Sequence, residues 1–264
     1  MISPSYSSAS QHEKVTITAV SGNTVSVSPA LQYSHYGATG VTIDNDYGTL
    51  DTRTSVGHLT RSIKIIAGAD TTWGFRLVVN SFLDGEIERY GKVILKGVEL
   101  NEGGQYDTEH SAIHLNRVSA ESSILDSTIQ DCKSYCLDVS SSMNVNIKNN
   151  VFYKGRIHHV RALQIQNYQF MNNLMIAAVK RPTVAASDMI ACYASWEKVD
   201  ETVEVKDNVC QGSDLHGFVF GFSSCDDAFS PYQGNLVGSA SVGFIFEKVA
   251  GNCMTAKGLR AYAC

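Results

Sequence analysis

Nine side chains able to move protons or hold an anion fall into three short stretches of this sequence. Asp107, Glu109, His110 and His114 form the first, His158, His159 and Arg161 the second, and Asp214 and His216 the third. Cleavage of a glycosidic bond needs two carboxyl groups about 5–10 Å apart, or a His or Arg standing in for one of them. In that chemistry Asp107 or Glu109 is the acid, and His114 and His158 complete the catalytic set. His110, His159, Arg161, Asp214 and His216 bind the ligand, with His158 or Arg161 receiving a sugar carboxylate. The competing reading is that polar loop residues of this kind simply face water. Adjacent histidines on a strand point to opposite faces, so only one of His158 and His159 can join such a site. A metal held by His114 and the histidine pair is therefore not expected, and no cofactor is implied. Calcium through Asp44, Asp46 and Asp51, or through Asp226 and Asp227, lacks the spacing of a calcium loop.

Groups so far apart in sequence can meet only if the fold stacks them. Helix signals are scarce, and short β-rich runs alternate with Gly, Asn, Asp and Ser. Val15–Val20 and Thr24–Val27 flank Ser21-Gly22-Asn23 and read as a hairpin. Further on, a unit recurs: an alternating apolar stretch, an Asn or small residue, then two more apolar residues. It is seen at Ile94–Leu100, Ser123–Ile129, Val145–Phe152, Tyr168–Met175, Val203–Cys210 and Tyr232–Val237. The recurring Asn is Asn150, Asn173, Asn208 and Asn235. A base period in the low twenties with variable insertions is the signature of a parallel β-helix. At a sharp turn Asn tolerates a left-handed backbone, and its amide can join a ladder with the turns above and below. Neighbouring rungs lie about 4.8 Å apart, so residues one or two turns apart can form a catalytic pair. The rival is an antiparallel sandwich of short strands, which the Asn recurrence disfavours.

Several stretches resemble one family. Val56-Gly57-His58-Leu59-Thr60-Arg61-Ser62-Ile63 is similar to the segment that closes the G-eight domain and opens the β-helix in the fibrocystin and cell-surface-hyaluronidase superfamily. Val98-Glu99-Leu100 with Gly104-Gln105, Ala112-Ile113-His114, and Gln211 to Phe218 resemble later rungs of that superfamily. The resemblance implies a right-handed parallel β-helix (a pectate-lyase-like solenoid) over residues 53–264. It implies the last part of a G-eight-like β domain, including the hairpin, over residues 1–52. Its hyaluronidase members depolymerise hyaluronan, whereas its fibrocystin members are surface receptors without established catalysis. This chain departs from the hyaluronidase pattern. Asn116 stands for a second His after His114, Ser140 and Ser141 stand where a His-Gly is found, and Val237 to Ser239 lack the His of a later rung. Losing three imidazoles removes acid–base groups.

The chain of 264 residues is 44% hydrophobic and 18% charged, with a net charge of -5 and only four prolines. It should fold as one continuous body, and no basic stripe suits nucleic acid. No apolar run approaches the roughly 20 residues of a membrane helix, and Met1 to His12 lacks the apolar stretch of a signal peptide. Seven cysteines read either as buried thiols or as one or two disulfides, with Cys225 and Cys253 the favoured pair. Tyr90, Tyr106, Tyr153, Tyr168, Trp196 and Tyr232 either stack on sugar rings or fill the core. Residues 188–202 read as an insertion lying over the solenoid. The reading as a whole is an extracellular or cell-surface β-helix module that binds glycan or protein ligands without catalysis. The alternative is a polysaccharide-degrading enzyme, a hyaluronidase-like hydrolase or lyase.

Overall fold

The computed structural model describes residues 1–4, 8–37, 41–44, 48–69, 72–180, 189–197, 199, 202–222, 230–247 and 255–264. They form a β-solenoid of about six turns, with a small antiparallel hairpin near the N-terminus. That hairpin pairs Thr16–Ser21 with Thr24–Ser28 around the turn expected at Gly22.

Each coil contributes three short strands, and these stack into three parallel faces. Face A stacks Ile94–Lys96, Ser122–Leu125, Met143–Lys148, Gln166–Met171, Glu204–Lys206, Tyr232–Gln233 and Ala256–Lys257. Face B runs from Ile63–Ile66 through Val98–Asn101, Thr128–Gln130, Val151–Tyr153 and Leu174–Ala178. Face C runs from Leu77–Asn80 through Ile113–Asn116, Leu137–Ser140, His158–Leu163 and Ala191–Ser195. Two long strands, Val209–Phe220 and Leu236–Phe246, bend round the corner and serve faces B and C in turn. Residues 188–202 are therefore not simply an insertion. Ala191–Ser195 is a face C strand, because Cys192 and Tyr193 are apolar enough to enter the core and the flanking alanines small enough to pack outside it.

The corner between faces A and B explains the recurring Asn. One residue before each of them adopts a left-handed backbone: Asn149, Asn172, Asp207 and Gly234 have φ of 58°, 55°, 54° and 67°. The left-handed position is thus the residue ahead of the Asn, since the Asn itself must aim its amide inward. Asn150, Asn173 and Asn208 donate their backbone N–H to the side-chain oxygen of the Asn in the next coil, at 3.0, 3.0 and 3.1 Å. Their side-chain amides donate to that same oxygen at 3.0, 3.0 and 2.9 Å. Each amide also caps a carbonyl of face A, as Asn173 does for Ile147 at 3.0 Å. Ser127 occupies the equivalent place one coil earlier, its N–H bonded to Asn150 at 2.9 Å and its hydroxyl accepting from Val98 at 3.1 Å. The four asparagines are buried, so every one of these groups would otherwise lack water and partner alike.

Alternate side chains fill the interior. Aromatic rings dominate its later coils, with Phe170 and Tyr193 at 5.1 Å and Phe220 and Tyr232 at 3.9 Å between centroids. Cys192 on face C joins Cys210 on face B across this core, and Cys132 joins Cys136. The favoured pair Cys225 and Cys253 lies outside the described residues. The N-terminal segment lies along face B. Met1 and Leu59 pack against Tyr153, Ile176 and Ala177, and the Thr128 hydroxyl donates to the Leu59 carbonyl at 2.7 Å. Lys14 reaches Gln130 and Asp131, both at 3.0 Å.

Replacing Asn173 by Ala strands the Asn150 N–H and the Ile147 carbonyl. At about 1–3 kcal/mol for each of these two buried groups left unpaired, the loss should be roughly 2–6 kcal/mol. Asn146→Ala on the outer side of face A should stay within about 0.5 kcal/mol. Urea unfolding midpoints of the two variants check the contrast.

Candidate functional site

Parallel stacking aligns one outward-facing column on face C: Val78, His114, Asp138, Arg161, Ala194, Val219 and Ile245, each in register with the next. Its polar half is a chain of contacts. The Arg161 guanidinium forks onto Asp138, with Nε donating at 3.0 Å and Nη2 at 2.8 Å. His114 Nδ1 lies 3.1 Å from Asp138 Oδ2, the oxygen that Arg161 Nη2 also bonds. Arg161 Nη1 reaches Glu109 at 3.2 Å, and its plane lies 4.6 Å over the Tyr135 ring. Tyr135 in turn stacks on His158 at 5.3 Å, and Trp196 lies 6.1 Å from that histidine.

Burial sets the charge states. Asp138 is 1% exposed, which alone would raise its pKa, but hydrogen bonds from His114 and Arg161 and the Arg161 charge hold it below the usual carboxylate range. Burial lowers the Arg161 pKa in principle, yet the Asp138 partner more than restores it, so this cation does not titrate. His158 is driven down to about 3, first by burial and then by the Arg161 charge. His159 is likewise near 3, from burial. His158 and His159 are both neutral at physiological pH.

The groups singled out in the sequence separate into four fates. Glu109, His114, Arg161 and His158 converge on this cluster. His159 faces the interior, 6.4 Å from Phe152, with neither ring nitrogen hydrogen-bonded. Gly155 makes room for it, since a Cβ there would lie 2.7 Å from the imidazole and 3.1 Å from Cys136 Sγ. Asp107 and His110 stay in the loop between faces B and C, where the His110 carbonyl accepts from the Gln105 N–H at 3.0 Å. Asp214, on the bent strand, accepts the Lys180 N–H at 2.6 Å, and the buried His216 lies two rungs from His158 with Ala191 between. Asp138 and Tyr135 were not among the candidates. The signal for Asp138 was present: an acid between Leu137 and Val139 in an apolar strand, one coil from both His114 and Arg161.

Among the aromatic candidates, Tyr153, Tyr168 and Tyr232 are buried, while Tyr106 carries the Arg156 guanidinium 4.9 Å over its ring. Among the described residues no group of three or more His, Cys, Asp or Glu could hold a metal ion, and no helix is long and apolar enough to cross a membrane. Asp51 pairs with Arg53 at 2.5 Å, whereas Asp46, Asp226 and Asp227 lie outside the described residues.

Fold and site together define a parallel β-helix module whose charged outer column is closed upon itself. No protein-family model matches the chain. It is 30% identical to mouse (Mus musculus) fibrocystin over 267 residues, covering 99% of this chain and 6% of that protein. Dog (Canis lupus familiaris) fibrocystin is 26% identical over 265 residues, covering 98% of this chain and again 6% of the relative. The chain is thus a β-solenoid similar to a stretch of fibrocystin, and it spans about 6% of the length of the curated relatives it matches.

Removing the buried carboxylate by Asp138→Ala leaves Arg161 without its fork, and should cost roughly 3–5 kcal/mol. Glu109→Ala removes only an exposed partner and should change stability by less than about 1 kcal/mol. Chemical denaturation separates the two.

Acid should also destabilise the fold. An unfolded histidine titrates near 6.5, whereas His158 and His159 titrate near 3 in the folded chain. Between these values the unfolded chain takes up protons that the folded chain refuses, so stability falls as pH drops from about 6.5 toward about 3. Asp138 adds to the fall as the pH approaches its lowered pKa. Melting temperatures across this range should decline, and His159→Leu should make the decline shallower.

Proposed function

We propose that this chain is a non-catalytic recognition module of an extracellular or cell-surface protein, presenting its solenoid faces to a polysaccharide or a protein. The observation that carries this reading is the commitment of the acid–base candidates to one another. Glycoside cleavage needs one carboxyl able to give a proton beside another that is ionised. Asp138 is locked ionised between His114 and Arg161, and His158 is too weak a base to serve near neutral pH. Two disulfides within the core suit an oxidising compartment, and the similarity to fibrocystin points the same way. Residues 1–52 are read with it as the closing part of a G-eight-like domain, ahead of a β-helix over residues 53–264.

One feature favours the rival reading, a polysaccharide-degrading enzyme. His114 is held by a buried carboxylate and remains 24% exposed, the arrangement of an oriented imidazole. A glycan array and a reducing-end assay on the same purified chain decide between them. Retention on a specific glycan or surface protein, with hyaluronan and chondroitin left intact, is the expected result. Turnover that disappears in both His114→Ala and His158→Ala would establish the enzyme instead.

A further inference from the structure

The first coil is unlike all later ones. Among the large hydrophobic side chains that stand exposed, nine lie between residues 63 and 94: Ile63 and Ile66 on face B, Val78 on face C, Ile94 on face A, and Trp73, Phe82, Leu83, Ile87 and Tyr90 in the segments between. Their exposures run from 45 to 73%. The three strands of this coil, Ile63–Ile66, Leu77–Asn80 and Ile94–Lys96, each pair on one side only among the described strands. Their other edges are unpaired, and the residues pointing inward from them, Ile65, Leu77, Val79 and Leu95, are only partly buried. Among the described residues, the N-terminal contacts made by Met1 and Leu59 are with later coils of face B. Open strand edges lined with apolar side chains are association surfaces.

We infer that this end is a self-association surface, at which two copies of the chain meet first coil to first coil. The area is sufficient. At about 200 Å² for each fully exposed large side chain, the nine residues present on the order of 1,000 Å², against about 800 Å² per partner in a standard interface. The charges suit a two-fold contact, which needs both signs on one patch. The hairpin of Phe82–Asp84 and Ile87–Arg89 carries Asp84, Glu86, Glu88 and Arg89, with Asp84 paired to Arg89 and Glu88 to Arg117, while the strands and their flanks carry Lys92, Lys96 and Lys64, the last paired to Glu99.

The other way to seat a second copy is head to tail, continuing the columns. That places like charges one rung apart. Lys96 heads a column that runs through Leu125, Lys148, Met171, Lys206 and Gln233 to Lys257, and Lys64 heads another that ends at Arg260. Stacked at about 4.8 Å, Lys257 would face Lys96 and Arg260 would face Lys64. A closed pair avoids both clashes and covers the open edges of the first coil in both copies.

Sedimentation velocity and light scattering on the whole 264-residue chain test the inference. The chain should sediment as a dimer. Leu83→Asp, at an exposed hairpin position, should weaken the dimer about tenfold or more with its melting temperature unchanged as a monomer. Phe246→Asp, at the opposite end of the solenoid, should leave the dimer intact. Should Leu83→Asp fail to fold, hydrogen exchange of the unaltered chain supplies a second readout, with first-coil amides gaining protection as concentration rises. A monomer at every concentration, an open series of oligomers, a dimer indifferent to Leu83→Asp, a dimer split by Phe246→Asp, or first-coil amides whose exchange does not change with concentration would each overturn it.

Discussion

The structure depends on the line of buried amides at the corner between faces A and B. A parallel coil must turn sharply there, and the turn leaves backbone groups pointing inward where no water reaches. Asn173 satisfies the coil before it, accepting from that coil's Asn and capping its face A carbonyl, and donates in turn to the Asn of the coil after. The interaction is repeated without a break from Ser127 to Asn235. It also fixes register, because a strand shifted by one residue would point its amide at solvent and its apolar side chains away from the core.

Once register is fixed, the outer columns follow. His114, Asp138 and Arg161 come from three successive coils, yet they form a single hydrogen-bonded line because each occupies the same place in its own strand. The Tyr135 ring, beneath the guanidinium and stacked on His158, closes the line against the solenoid wall. A buried ion pair of this kind contributes little net stability compared with apolar packing, but breaking it exposes the cost of an unpaired charge. That asymmetry suits a rigid scaffold more than a centre that must gain and lose protons. Similarity to fibrocystin over nearly the whole chain agrees with such a scaffold, within a stretch that is a small part of those relatives.

The solenoid is finished unevenly. Face B is covered by the chain's own first residues, the middle coils are closed by aromatic packing and two disulfides, and the first coil stands open. Parallel stacking satisfies backbone groups everywhere except at its ends, so the ends are where this architecture must meet something else.

Much of this was legible in the sequence. Residue types alone show strands in place of helices, the hairpin at Gly22, the coil period, and Asn150, Asn173, Asn208 and Asn235 as its punctuation, because turn chemistry and alternation are local properties. The cysteine pairing was not legible, since Cys192 and Cys210 meet only across a folded core. Nor was the fate of the two adjacent histidines: which one faces in depends on the left-handed turn at Ile157, with φ of 72°, and on the space left by Gly155. The sequence by itself determined that the chain coils and what chemical groups it carries. Only the tertiary structure decided which groups touch, because contact between coils rests on register and burial, and burial then decides which of those groups keep a charge.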